Sequence, residues 1–281
     1  TVRPAPESVS FDRDSLTLGA GEKFTLKAAL NSGSAGSIHY SAQGDCIQVD
    51  ASGKITALKE GESTVVAETY NSKTASLPVK VYPAPTRLTL DTADGRKTFG
   101  VGETLQLRFE TDSPVAGVTY KLSNRRAATL SADGTLTLKR TGKLTITATT
   151  YNGISAKLTL TIKSAPKSVS LKLSRAELGA GESAGFSVAL PKGRSGSWTL
   201  ESSDPAIAAI NGNSIVAVAP GTVKITVRTF NGKTNTQTLT VRPAPESVSF
   251  DRDSLTLGAG EKFTLKAALN SGSAGSIHYS A

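Results

Sequence analysis

Residues 223–241, VKITVRTFNGKTNTQTLTV, carry the pattern on which the fold prediction rests. Over residues 223–227, apolar and polar side chains alternate, so that one faces inward and the next outward along an extended strand. The dipeptide Asn231-Gly232 then lies between two alternating runs, where Asn-Gly is the strongest short signal for a β-hairpin. The stretch therefore predicts two antiparallel strands joined by a tight turn.

The same pattern recurs along the chain with a period of about 80 residues. The letters TFNG at 229–232 return as TYNG at 150–153 and TYNS at 69–72, and Ala-Pro recurs at positions 5, 84, 165 and 244. We predict domains at 1–83, 84–164 and 165–243, followed by the first half of a fourth at 244–281. These are called units one, two, three and the half unit below. The pattern in each complete unit predicts about seven short antiparallel strands in two packed sheets, so we expect an all-β chain.

The first and last 42 residues are identical, at an offset of 239 positions. This identity, the absence of methionine and the lack of a signal peptide favour an interior window cut from a longer array with a 239-residue period. The half unit lacks a counterpart of residues 43–82 and should not fold alone. We expect the continuing chain or another copy to complete it; an arbitrary end with a frayed half domain is the competing interpretation. Without a complement, five side chains would meet water: Phe250, Leu255, Leu257, Phe263 and Leu265.

The order of these motifs resembles the group 2 bacterial immunoglobulin-like domain. In unit one the resemblance rests on Leu18, Gly21, Leu26, Tyr40, Val49, Gly53, Ile55, Ala57, Gly61, Val65 and Tyr70-Asn71. Units two and three match through fewer positions: Leu136, Gly142 and 151–153, and 202–205, Ile215, Ala217, Gly221 and 230–232. Unit two also carries a two-residue expansion at 94–97.

The resemblance implies a fold of tandem immunoglobulin-like β-sandwiches and a setting on the bacterial surface or outside the cell. Members of the family occur in adhesins of the intimin and invasin type, in phage structural proteins and in secreted enzymes. The resemblance is specific for fold and poor in information about any ligand.

Side chains suited to catalysis or metal binding are sparse. The two histidines, His39 and His278, are one position seen twice, and the other units offer no partners for a zinc site or a Ser-His-Asp relay. Asp12, Asp14, Asp45 and Asp50 do not form an Asp-x-Asp-x-Asp-Gly calcium loop. We therefore predict no enzyme and no catalytic, cofactor-binding or metal residues; an enzymatic role would belong to a domain outside this window.

Three further features are interpreted as structural. The lone Cys46 corresponds to Ala127 and Ala206 and should be a buried, inert thiol, with a reactive thiol as the alternative. Trp198 should be a core side chain rather than a sugar-stacking one. The segment 19–22, GAGE, precedes neither Lys-Ser/Thr nor a helix, which excludes a phosphate loop and predicts a turn.

Positive charge is concentrated in the middle of the chain, whose formal net charge is +9. Unit two has 12 Lys and Arg against 6 Asp and Glu, and unit three has 9 against 4, whereas unit one has 8 against 9. Such clusters attract polyanions through counterion release and electrostatic steering. A solvated surface is the plain interpretation. The alternative is weak binding of anionic polysaccharide, teichoic acid or extracellular DNA through Arg125, Arg126, Lys139 and Arg140.

The links between units predict stiffness. Pro83, Pro166 and Pro243 stand directly between strands with no Gly/Ser spacer, and proline favours extended backbone. With strands of about 8 residues, each unit should be roughly 35 Å long and three should span on the order of 100 Å. We predict a stalk or fibre whose partners are neighbouring repeats or other copies of itself; an adhesin for host, matrix or anionic glycans is the alternative. Specific nucleic-acid binding is not expected, since no aromatic side chains interleave the cations.

Overall fold

The computed structural model describes residues 2–115 and 117–280, and every regular element in this part of the chain is a β-strand. The prediction of an all-β protein is confirmed. The described residues include no helix long and apolar enough to span a membrane.

Alternating threonine and aliphatic residues form most of these strands, because β-branched side chains pack well on a pleated surface. The strands of unit one are β1 (Val9–Phe11), β2 (Leu16–Gly19), β3 (Lys23–Thr25), β4 (Ala28–Leu30), β5 (Ile38–Gln43), β6 (Ile47–Val49), β7 (Lys54–Ala57), β8 (Gly61–Thr69) and β9 (Thr74–Tyr82).

Among the residues that the structure describes, units two and three contain eight strands each, and the half unit contains two. Unit two has β10 (Leu88–Thr92), β11 (Thr98–Gly100), β12 (Thr104–Thr111), β13 (Val118–Leu122), β14 (Ala128–Leu130), β15 (Thr135–Leu138), β16 (Gly142–Thr150) and β17 (Ser155–Lys163). Unit three has β18 (Ser170–Leu173), β19 (Glu177–Gly179), β20 (Ser183–Ala189), β21 (Trp198–Ser202), β22 (Ala208–Asn211), β23 (Ser214–Ala217), β24 (Gly221–Thr229) and β25 (Thr234–Arg242). The half unit has β26 (Val248–Phe250) and β27 (Ala267–Leu269).

Units two and three share one topology of two four-stranded sheets. The orders are β10-β12-β15-β14 and β11-β17-β16-β13 in unit two, and β18-β20-β23-β22 and β19-β25-β24-β21 in unit three. Unit one keeps the second sheet as β2-β9-β8-β5 but splits the first into β1-β4 and β3-β7-β6. The split falls at Leu26-Lys27, where the expected continuous alternating strand is interrupted between β3 and β4.

One strand pair in each complete unit is parallel, which corrects the expectation of purely antiparallel sandwiches. β2 pairs in parallel with β9, β11 with β17, and β19 with β25. The chain starts each unit in one sheet and then crosses to the other, where it runs beside the last strand in the same direction. The second and the last strand of each complete unit therefore share one ladder of hydrogen bonds.

The predicted hairpin is formed in each complete unit by the last two strands. Gly153 and Gly232 adopt φ of 91° and 79°, the left-handed region that glycine tolerates, and Ser72 takes the same place with φ of 62°. The neighbouring asparagine side chains donate to proline carbonyls at the start of their own units, Asn152 to Pro85 and Asn231 to Pro166, each at 2.8 Å. These bonds fasten the hairpin turn to the entry of each unit.

Each complete unit encloses its own core. In unit two the core includes Phe99, Leu136, Leu144, Ile146 and Leu160, all fully buried, and units one and three have separate clusters of the same kind. The core belongs to the single unit, so the units are joined only at their ends.

Cys46 is buried at 5% exposure, as predicted, and its carbonyl accepts the amide of Leu58. The same bond is made by Ala127 to Lys139 and by Ile207 to Val218. The unit-three counterpart of Cys46 is therefore Ile207, and the alignment with the exposed Ala206 was wrong by one position.

Trp198 is 39% exposed, so the prediction of a buried core residue was wrong. It is the first residue of the edge strand β21 and pairs with Thr229, whose side chain is buried. Its ring therefore faces the inside of the sandwich and meets Phe186 edge-on, with 6.3 Å between centroids. In the part of the chain that the structure describes, no strand lies beyond β21 in its sheet, and an indole is too large for Phe186 alone to cover.

The half unit has the sequence of residues 5–42 without their environment. Leu18 is 1% exposed in unit one, whereas its copy Leu257 is 43% exposed; Leu26 is 2% exposed and its copy Leu265 is 41%. In the described residues of the half unit, only the β26–β27 pair, the counterpart of β1–β4, remains as strand. The expectation for the five apolar side chains is confirmed: Phe250, Leu255, Leu257, Phe263 and Leu265 are all exposed.

Hydrogen exchange should separate the two copies. Peptides common to both copies, such as 11–18 and 250–257, are identical in sequence and mass. During exchange, the signal at that mass should therefore split into two isotope envelopes of equal area, one from each copy. The copy in unit one should exchange slowly, and the half-unit copy quickly, because the missing strands cannot protect its amides. Exchange mass spectrometry of the intact chain measures this, and a single slow envelope would contradict it.

Candidate functional site: the joints between units

A Gly-x-Gly-Glu turn lies at the end of each complete unit, beside the link to the next. Its first glycine pairs with the end of the last strand: Gly19 with Tyr82, Gly100 with Lys163 and Gly179 with Arg242. The turn is therefore presented to the unit that follows.

The geometry inside the turn explains two of its three fixed letters. The second glycine, at positions 21, 102 and 181, has φ of 86°, 94° and 90°, which an L side chain adopts only with strain. The glutamate carboxylate accepts the amide of the first glycine, at 2.9 Å for Glu22 on Gly19 and for Glu182 on Gly179. The remaining fixed letter of the pattern, the first glycine, is explained by the next unit.

The next unit approaches the first glycine so closely that no side chain fits there. A Cβ on Gly19 would lie 2.1 Å from the hydroxyl oxygen of Tyr151, and one on Gly100 would lie 2.2 Å from the carbonyl oxygen of Ser195. On Gly179 it would lie 2.0 Å from the carbonyl oxygen of Ala274. The first glycine is thus a contact surface in all three joints.

The second joint is centred on a buried carboxylate. Glu103 of unit two is 2% exposed, and its Oε1 accepts the backbone amide of Ser197 in unit three at 2.7 Å. The same oxygen accepts the guanidinium of Arg96 at 3.1 Å, which balances the buried charge. One glutamate therefore closes its own turn and binds the following unit.

The third joint repeats this arrangement with Glu182. Its Oε1 accepts the amide of Ser276 at 2.9 Å and the hydroxyl of Ser276 at 2.7 Å, and Arg175 pairs with it at 3.0 Å. Burial by itself would raise the pKa of the Glu182 carboxyl. The hydrogen bonds from Gly179 and Ser276 and the charge of Arg175 outweigh burial and lower this pKa to about 2, so the acceptor is ionised at neutral pH.

The first joint uses a tyrosine. The Tyr151 hydroxyl, from the hairpin turn of unit two, donates to the carbonyl of Ala20 in unit one at 3.0 Å. Burial raises the pKa of Tyr151, and the negative charge of Glu22 raises it further, so the hydroxyl keeps the proton that it donates. In the second joint Phe230 occupies the same place and packs against Gly100 and Gly102.

The links themselves are hydrogen-bonded to the unit that follows. The Pro83 carbonyl accepts the hydroxyl of Ser113 at 2.8 Å, the Ser164 carbonyl accepts the amide of Ser195 at 3.2 Å, and the Pro243 carbonyl accepts the amide of Ala274 at 3.2 Å. Each link is thus held to a loop of the next unit in addition to being restricted by proline.

The cations predicted from the sequence gather at the second joint. Arg125 and Arg126 lie in the turn after β13, and Lys139 and Arg140 follow β15; the amides of Lys139 and Arg140 both donate to the Ala127 carbonyl, at 2.7 and 3.2 Å. All four side chains are exposed, and none belongs to an ion pair among residues 2–115 and 117–280. We call these four residues the turn cluster.

The acidic and histidine residues considered in the sequence are scattered. Asp12 pairs with Arg13 and Asp45 with Lys59, while Asp50 accepts amides within its own turn. His39 and His278 are exposed. Over the described ranges, no group of three or more His, Cys, Asp and Glu side chains is placed to hold a metal ion.

Sequence reasoning recognised the Gly-x-Gly-Glu turn and missed its role between units. The available signal was recurrence, since Glu22, Glu103 and Glu182 return at the same place in every complete unit. The first glycine was a second signal, because Gly19, Gly100 and Gly179 recur in the same way.

The sandwich topology agrees with the comparison by family. The family model for the bacterial Ig-like domain (group 2) matches residues 88–162. The match takes in most of unit two, which is therefore similar to a group 2 bacterial Ig-like domain. Unit three has the same order of eight strands as this Ig-like domain, and unit one has the same second sheet.

Solved structures resemble the chain at low identity. The S-layer protein rSbsC is 16% identical with a TM-score of 0.27, covering 88% of this chain and 42% of its own. Extracellular domains 3–5 of Drosophila OTK are 12% identical (TM-score 0.24; 86% and 99% covered), as are cadherin domains 1–4 of protocadherin gamma B7 (0.24; 83% and 76%). The chain thus spans less than half of the S-layer protein, and no curated protein sequence matches it.

Substituting Gly100 with alanine should loosen the second joint. The new methyl group would overlap the Ser195 carbonyl and push unit three away, so the Ser197 amide would lose protection by Glu103. Overpacking of this kind costs roughly 1–3 kcal/mol, so exchange of the Ser197 amide, followed by NMR, should accelerate roughly fivefold or more.

The matched control is Gly185→Ala, since a Cβ on Gly185 has no atom within 4 Å. It should leave exchange at Ser197 unchanged. Equal protection of Ser197 in both variants would show that the first glycine does not set the joint.

Proposed function

We propose that this chain is part of an extracellular stalk or fibre on a bacterial surface, built from Ig-like units joined end to end. The observation that carries the proposal is the repeated joint: the Gly-x-Gly-Glu turn of each complete unit contacts the following unit within the distance that only glycine permits. Holding successive units in one fixed way is the requirement of a spacer.

The contacts lie at opposite ends of neighbouring units. The glycine turn is beside the last residues of its own unit, whereas Tyr151 and Phe230 lie in hairpin turns fastened to the first residues of theirs. Each unit therefore has a docking turn at one end and a docking hairpin at the other. This arrangement supports a linear array with Pro83, Pro166 and Pro243 at its joints.

The parallel strand pair suits a load-bearing element. When the two ends of unit two are pulled apart, β11 is drawn towards its start and β17 towards its end. Because the two strands run in parallel, this force shears their ladder and loads its hydrogen bonds together instead of opening them one after another. β2–β9 and β19–β25 give the other complete units the same resistance.

Small-angle scattering on residues 1–281 tests the shape. A linear array should have a maximum dimension of at least about 100 Å. A compact globule of this length would instead have a radius of gyration near 19 Å. A measured radius of gyration near that of the globule would refute the stalk.

A second candidate, adhesion to anionic glycans, is favoured by the turn cluster. Its four side chains, Arg125, Arg126, Lys139 and Arg140, are solvent-exposed and form no ion pair in the described part of the chain. Their two segments are held together because the amides of Lys139 and Arg140 donate to the carbonyl of Ala127, the residue after Arg126. Their charges stabilise no packing of the unit, and they are available to a polyanion.

Replacing the four cations of the turn cluster with glutamine should lower the salt concentration at which the chain elutes from immobilised heparin. The control replaces Lys121, Lys157, Lys172 and Lys224, four exposed cations on strands, and has the same net charge. Retention depends on the number of local contacts, so only the first variant should elute early. Equal elution of the two would leave the cluster as a solvated surface.

A further inference from the structure

A cleft with three cations lies between units two and three. It has a volume of about 670 Å³ and is lined by Val101 and Ser164 from unit two and by Lys167, Arg194, Asn231 and Lys233 from unit three. We propose that this cleft, the joint cleft, is a binding site for an anionic polysaccharide.

Arg194 is held in place, and none of the three cations of the joint cleft is neutralised in the described part of the chain. The guanidinium of Arg194 donates to the Ala165 carbonyl at 2.6 Å, and its backbone forms a β-bridge with Ser164, so the side chain is fixed across the link. Arginine has five N–H donors, and this bond uses one of them. Lys167, Arg194 and Lys233 take part in none of the ion pairs among the described residues.

The first joint shows that the framework does not need these charges. Its asparagine makes the same bond to a proline carbonyl, at 2.8 Å in both joints, which aligns the residues next to the two bonds. The positions of Lys167 and Lys233 are then occupied by Thr86 and Ile154, and the loop 112–117, which corresponds to the loop of Arg194, contains no lysine or arginine. A joint is therefore built without these cations, so their charges at the second joint serve something other than docking.

The chemistry of the lining selects the class of ligand. An arginine fork and two ammonium groups match carboxylate and sulfate groups, which repeat along acidic polysaccharides. Proteins that bind single-stranded nucleic acid stack its bases on aromatic rings, and no aromatic side chain is among the residues that line this cleft. The observations therefore favour an acidic glycan over DNA.

The turn cluster extends the site along the surface of unit two. Val101 lines the cleft, and the amide of its neighbour Gly102 donates to the carbonyl of Leu138 at 2.8 Å, immediately before Lys139. The joint cleft and the turn cluster thus share one end of unit two. A polymer can bind both at once, and it can do so only while the joint holds units two and three together. In this respect the inference rests on the fixed joint of the proposed stalk.

The test compares two triple variants of the full chain binding a fluorescent heparin oligosaccharide at about 50 mM salt. The cleft variant is Lys167→Gln, Arg194→Gln and Lys233→Gln. The control, Lys157→Gln, Lys172→Gln and Lys224→Gln, removes the same charge from exposed strand positions. The cleft variant should bind roughly tenfold or more weakly. The slope of log K against log salt should fall in magnitude by about 2–3, because each anionic group that loses its protein contact keeps its counterion. The control should change affinity less than about twofold.

Each other outcome decides against a defined part of the inference. Equal losses in the two variants would show that net charge, not the cleft, governs binding. Equal affinity for a single-stranded oligodeoxynucleotide, equally reduced in the cleft variant, would overturn the choice of polysaccharide. Melting curves of both variants should match the wild type. Small-angle scattering then separates the two proposals. An elongated particle whose cleft variant binds heparin as well as the wild type refutes the binding site alone, whereas a compact particle with cleft-dependent binding refutes the stalk alone.

Discussion

The architecture depends on the absence of one Cβ at the end of each unit. With glycine at positions 19, 100 and 179, backbone or hydroxyl oxygens of the next unit come within 2.0–2.2 Å of where that atom would be. Glutamate three residues later holds the turn closed and, in the second and third joints, binds the next unit by a charge-assisted hydrogen bond. The close backbone contact at the first glycine and, in the second and third joints, the glutamate hydrogen bond therefore determine how the units meet.

This shared frame leaves room for each joint to differ. Tyr151 adds a hydroxyl donor to the first joint, and Phe230 supplies only apolar contact at the same place in the second. The second joint also gathers Lys167, Arg194 and Lys233, where the first has neutral residues. Units with nearly the same topology can thus serve as spacers throughout, while one joint carries charge for a ligand.

The half unit shows how much a unit depends on its second half. Leu18 and Leu257 have identical neighbours in sequence, yet one is 1% and the other 43% exposed, because only unit one supplies the strands β5 to β9. Docking on unit three through Ser276 and Ala274 orders one edge of the half unit without building a core. Interfaces between units position them, and burial within a unit stabilises them.

Local pattern was enough for the class of fold. Alternation, the Asn-Gly turn and the 80-residue recurrence of motifs predicted all-β units, the hairpins and the buried Cys46, because these follow from side-chain period and backbone preference. Tertiary structure alone decided the parallel β2–β9 type of pairing, the exposure of Trp198 at a sheet edge and the match of Cys46 with Ile207, which depend on strand order and neighbours. It also decided the joints: Glu103 and Ser197 are 94 residues apart in the chain, and only the end-to-end meeting of two folded units brings them to 2.7 Å.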